Sequence, residues 1–157
     1  MPKTKENFRI AIITSQFNEG VTQGLQAGAL KYLAEQGVEV AKAAVFSAPG
    51  AFEIPLMAKA LAKTGAFDGV VCLGCVIKGD TAHFEFISLG ATIGLMNVTL
   101  ETGVPIAFGV ITTYTDDQAV ARSRDDAHNK GREAAAACIQ SLRTLAAIHK
   151  FRKPRKK

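Results

Sequence analysis

Long apolar runs are missing from this sequence: none approaches the roughly 20 residues that a membrane-spanning helix needs. Gln/Asn and Ser/Pro tracts are missing too. With 48% hydrophobic residues, the composition is that of a globular chain rather than a disordered one. Its 157 residues suit a single domain with a substantial core. The opening MPKTKENFRI is polar and then turns strand-like, which does not read as a signal peptide, so the expected location is the cytoplasm.

Cysteine is scarce and odd in number. Cys72 and Cys75 form a CLGC spacing inside the strand-like run VVCLGCVI, and Cys138 sits in an alanine-rich run. Residues three apart on a strand face opposite sides, a redox CxxC belongs at a helix start, and no second ligand pair exists for zinc. All three are expected to be reduced and packed. Acid is absent from the last eight residues, KFRKPRKK, which carry six bases; without them the net charge of +5 falls to −1. The expected organisation is an arm over 1–7, one domain over 8–149 and a basic, disordered tail over 150–157. Nucleic acid is not the expected partner of that tail.

Apolar strands and helical patterns alternate along the chain. Strands are expected at 8–15, 38–47, 67–77 and 104–113. Between them fall a helix capped by Asn18 and stopped by Gly37, a helix following PGAFEIP with Pro55 in its first turn, and a helix over about 82–102 closed by Gly103. Thr115 and Gln118 fit a capping box for a short helix, and a long helix over about 127–148 ends the fold. No linker or repeat divides the chain. The order βαβαβαβαα implies an α/β fold, a four-stranded parallel sheet with helices on both faces, and places ligands beyond the carboxyl ends of the strands.

Four segments lie on that edge: SQFN, SAPGAFE, KGDTAH and TTYT. Phe17 reads either as a hydrophobic staple or as a flat surface for a planar ring. Phe52 and Glu53 read either as an ordinary first helical turn or as a ring and an acceptor for hydroxyl groups. In KGDT, Gly79 lets backbone approach a ligand and the following helix start offers N–H groups to an anion. Asp80 opposes an anion there unless it turns away to cap the helix. His83 follows directly, either as a plain helix-start residue or as a group that accepts a proton in one step and returns it in another. Arg122, Arg124 and Lys130 surround the joint between the last two helices, as surface charge or as an anion grip. His128 has no metal partner one turn away.

The stretches FN, PGAFEIP, LGCVIKGDTAHFEF, PIAFGVITT and HNKG, in that order from about residue 8 to 148, resemble lumazine synthases. The resemblance implies a three-layer αβα, flavodoxin-like fold and a homo-oligomer, a pentamer or an assembly of pentamers, with sites shared between subunits. It implies condensation of 5-amino-6-ribitylaminouracil with 3,4-dihydroxy-2-butanone 4-phosphate to 6,7-dimethyl-8-ribityllumazine, phosphate and water, with riboflavin synthase as a functional partner. By resemblance, Phe17 stacks on the pyrimidine, and Ala51, Phe52 and Glu53 contact pyrimidine and ribityl chain. Cys75, Val76 and Ile77 hold the heterocycle edge through backbone, Asp80 and Thr81 occupy the phosphate turn, and His83 transfers protons. Phe108 and Arg122 come from a neighbouring subunit, and Lys130 matches the lysine of the NKG segment.

That chemistry needs two reactants held together, a phosphate grip and a proton shuttle. No metal, nicotinamide or nucleophilic serine is signalled, and no cofactor is expected. The chain departs from many relatives at Gln16, where arginine is common, and in SRDDAHNKG, which differs from the GTKAGNKG of shell-forming members. Rival readings are a ring-binding module without catalysis, a scaffold, and a receiver-type domain; the last lacks its acidic cluster in SQFN and SAPG.

Overall fold

The computed structural model describes residues 7–153, so the expectations for residues 1–6 and 154–157 concern residues outside it. Four strands, β1 (Ile10–Ser15), β2 (Val45–Ala48), β3 (Gly69–Ile77) and β4 (Ile106–Thr113), form a parallel sheet in the order β2-β1-β3-β4. Five helices connect or follow them: α1 (Glu19–Glu35), α2 (Ile54–Lys63), α3 (His83–Thr102), α4 (Asp116–Ser123) and α5 (Lys130–His149). The expected α/β class and element order are what is found. Among the described residues, no helix is long and apolar enough to cross a membrane.

The strands read as near-continuous apolar runs because both sheet faces are covered. Ile10, Ile12, Val71 and Leu73 meet Leu25 and Leu33 of α1 and Ile139 and Leu142 of α5 on one face. Ile13, Val70 and Val110 meet Ile54 and Ala58 of α2 and Leu95 and Val98 of α3 on the other. Each large aliphatic side chain so buried contributes roughly 1.5–3 kcal/mol. Cys72 and Cys75 fall on opposite faces and, with Cys138, are free and buried, as the strand periodicity requires.

The second strand is shorter than expected. Residues 38–41 are not strand, and Lys42–Ala44 form a 3-10 turn before Val45. The alanines around Lys42 favour helical turns over strand, and β2 is an edge strand supported on one side only. Asn18 also behaves differently from the expectation. It stands at the N-cap position of α1 with φ 59° and makes no side-chain cap. Its side chain instead donates to the Cys75 carbonyl at 3.0 Å. The capping box before α4 is present with one shift: Gln118 N–H donates to Thr115 Oγ1, while Gln118 Oε1 accepts from Tyr114 N–H rather than from Thr115.

Candidate functional site

Strand order reverses between β1 and β3, so the loops leaving them diverge and open a crevice at their carboxyl ends. The Asn18–Cys75 hydrogen bond spans that crevice floor. Above it lies a cleft of about 470 Å³ lined by Phe17 from the β1 loop, Ala51, Phe52 and Glu53 from the β2 loop, Cys75–Ile77 from β3, and Gly79, Thr81 and His83 from the third loop and α3. Ten of the residues singled out in the sequence, from four separate segments, thus share one cavity.

Both aromatic rings of the first two loops face this cleft. Phe17 is 71% exposed and lines the cleft, so its ring is not spent as a buried staple. Phe52 is 57% exposed and lines it as well. Thr81 Oγ1 accepts from His83 N–H at 3.3 Å, which fixes the first residue of α3 relative to the turn. Asp80 is exposed, lies outside the cleft lining and does not cap α3.

Cys75 contributes backbone rather than thiolate. Burial, with the Asp116 carboxylate second, pushes its thiol up to about 11, so it stays protonated at neutral pH. Its carbonyl accepts from Asn18, and its side chain packs in the core.

Among the described residues, no lysine or arginine lines this cleft. Lys78, in the adjoining turn, extends over the Tyr114 ring instead, 5.8 Å from its centroid. The cations singled out in the sequence lie elsewhere. Arg122 and Lys130, with Phe108, line a second hollow of about 400 Å³ along β4, α4 and α5. There Lys130 Nζ pairs with Glu133 at 2.7 Å, and an Arg122 guanidinium N–H donates to the Gln118 carbonyl at 3.0 Å. Arg124 lines neither hollow. The ring-lined cleft and the cation-lined hollow are therefore separate within one chain.

Sequence reasoning missed four contributors. Phe84 and Ile87 line the cleft and are legible in hindsight as neighbours of His83 at i+1 and i+4 on one helix. Glu133, one turn from Lys130, lines the second hollow. Asn129 is buried and holds the joint before α5, donating to the Gly24 and Arg124 carbonyls and accepting from Arg132 N–H. Its place in HNKG gave no sign of burial. Among the described residues, no group of three or more His, Cys, Asp or Glu is placed to hold a metal ion.

Comparison with known proteins shows which family this chain resembles. The family model described as 6,7-dimethyl-8-ribityllumazine synthase matches residues 7–146. A protein of Caulobacter vibrioides named 6,7-dimethyl-8-ribityllumazine synthase 1 is 65% identical over 140 residues, covering 89% of this chain and 92% of that protein. Proteins named 6,7-dimethyl-8-ribityllumazine synthase from Salinibacter ruber and Protochlamydia amoebophila are 46% and 43% identical. They cover 86% and 85% of this chain, and 86% and 78% of their own lengths.

Proposed function

This chain belongs to the 6,7-dimethyl-8-ribityllumazine synthase family, and from that membership we propose that its two hollows are the halves of one active site, brought together by neighbouring subunits. The enzyme serves riboflavin biosynthesis, condensing 5-amino-6-ribitylaminouracil with 3,4-dihydroxy-2-butanone 4-phosphate. The observation that carries the shared site is the separation of groups. Rings and imidazole line one cleft without a cation, and the cations line another along the exposed edge of the sheet.

In this reading Phe17 and Phe52 sandwich the edges of the pyrimidine, and the backbone at Cys75, Val76 and Ile77 meets its polar rim. Ala51 closes the side, and Glu53 accepts from the ribityl hydroxyls. Thr81 and the amides of the 79–83 turn hold the phosphate, with Asp80 turned outward. Arg122 of a neighbouring subunit completes the anion grip, Phe108 closes the ring site, and Lys130 adds charge while paired to Glu133.

The amine of the uracil attacks the ketone and water leaves as the imine forms. Loss of a proton from the carbon chain expels phosphate, and the second amine closes the ring with loss of another water. His83 stands at the turn where phosphate departs, placed to take and return those protons. Co-binding of two reactants supplies most of the acceleration, and a proton shuttle about 10²-fold.

A homo-oligomer follows: a head-to-tail contact between unlike hollows gives a ring where its rotation closes, and the family resemblance makes a pentamer the ring proposed. Phe86, Leu89, Ile93, Met96 and Leu100 form an exposed stripe along α3 suited to burial between subunits. The proposed location is the cytoplasm, with riboflavin synthase consuming the product.

Purified protein is mixed with both substrates and lumazine fluorescence is followed for wild type, His83→Ala, Arg122→Ala and the two variants refolded together. Each variant alone should lose most activity, His83→Ala by about 10²-fold. Co-assembly should restore about a quarter of the wild-type rate, because random mixing pairs an intact His83 with an intact Arg122 at that frequency. No recovery on mixing would place both residues in one subunit's site. A wild-type rate equal to the uncatalysed background would leave a binding module.

A further inference from the structure

The Phe52 ring is not held by its own segment. It leaves a 3-10 turn, Ala51–Glu53, and is more than half exposed. What it rests on is α3. A Cβ added at Gly90 would stand 2.9 Å from Phe52 Cε2 and 3.2 Å from Cδ2. One turn along the same helix, a Cβ at Gly94 would stand 2.8 Å from Pro55 Cβ and Cγ. The segment Phe52–Pro55 is therefore seated on two glycines of α3, and the ring edge occupies the space that a side chain at 90 would take.

Glycine in a helix interior weakens the helix relative to alanine, so two within one turn of each other in α3 need a compensating role. The apolar stripe along α3 does not supply one, because Gly90 and Gly94 offer it no side chain. Phe84 and Ile87, which precede Gly90 on α3, line the cleft together with Phe52. A side chain at 90 would lift the ring off α3 and leave the aromatic wall of the cleft at a different height and tilt.

We infer that Gly90 is a positioning residue for the ring-binding wall: it sets the seat of Phe52 and thereby the affinity of the cleft for the heterocyclic substrate. The inference rests on the proposed reading of the cleft as the pyrimidine site. Phe52 is the residue that touches substrate, and Gly90 acts only through it. His83 and the phosphate turn lie at the start of α3, about two turns before Gly90, and do not rest on it, so the seat governs occupancy rather than the chemical steps. Gly94 acts on Pro55, a rigid ring joined to backbone, and its substitution is expected to shift the whole turn rather than one side chain.

The test uses the full chain in four forms: wild type, Gly90→Ala, Phe52→Leu and the double variant, with Gly90→Ser as a second probe of the same Cβ. Binding of 6,7-dimethyl-8-ribityllumazine is titrated by fluorescence, and KM for the uracil substrate is measured beside kcat. Gly90→Ala and Gly90→Ser should each weaken lumazine binding and raise that KM roughly fivefold, with kcat nearly unchanged and the thermal midpoint not lowered. In the Phe52→Leu background, where no ring meets the added Cβ, Gly90→Ala should change neither value. Wild-type affinity in both Gly90 variants, or the same penalty with and without the Phe52 ring, would overturn the inference. A wild type that neither makes nor binds the lumazine overturns the reading of the cleft and the inference with it, whereas an active wild type with silent Gly90 variants overturns the inference alone.

Discussion

Asp68 shows how one residue can bind two strands at their entry. Its carboxylate accepts from the Arg9 backbone N–H at 2.8 Å and from the Arg9 guanidinium at 2.9 Å, while its own N–H donates to the Arg9 carbonyl. The guanidinium hydrogen bond holds the Asp68 carboxyl below its ordinary value against desolvation, with the Arg9 backbone hydrogen bond and charge adding less. A lowered carboxyl contributes stability above its unfolded value, near pH 4, and loses it as pH falls through the folded value. Asp68→Asn is therefore expected to lower the urea midpoint at pH 7, with the gap to wild type closing as pH falls below about 4. An equal gap at pH 7 and pH 3 would show that the carboxylate's charge is not what the pair contributes.

At the scale of elements, the second hollow depends on how closely α5 and the joint before it approach α1. A Cβ at Gly28 would overlap the Asn129 amide, and one at Gly131 would overlap the Leu25 carbonyl. These glycines let the buried Asn129 sink between the helices and donate to the Gly24 and Arg124 carbonyls. Asn129→Ala leaves those carbonyls and the start of α5 unpaired, for an expected loss of about 2–3 kcal/mol in chemical denaturation. Because Arg122 and Lys130 lie on either side of this joint, the variant should also raise KM for the phosphate substrate. Unchanged stability and KM would mean that water takes over the amide's role.

For the whole molecule, the sheet exposes β4 on one edge, with Phe108 at the surface, and α3 exposes an apolar stripe. An apolar face of this kind is costly to leave in water and is ordinarily covered. Ile93 lies in mid-stripe, and Ile93→Glu would bury a charge in the proposed contact. Expected in sedimentation is a shift from oligomer to monomer, with activity falling in parallel, as the proposed shared site requires. A monomeric variant with full activity would refute the shared site.

Sequence alone determined the class and order of elements, because strands covered on both faces must be apolar throughout and helices with one buried face must be periodic. It also brought out PGAFEIP and KGDTAH, since strand-to-helix turns carry ligand chemistry in parallel sheets. The short β2, the left-handed Asn18 and the buried Asn129 were not legible. Each depends on a partner distant in the chain: an edge without a second neighbour, the Cys75 carbonyl, and the Gly24 carbonyl of α1. Tertiary structure alone decided that ten candidates share a cleft while Phe108, Arg122 and Lys130 do not. That division follows from strand order: β1 and β3 lie side by side at the centre, whereas β4 carries its residues to the open edge.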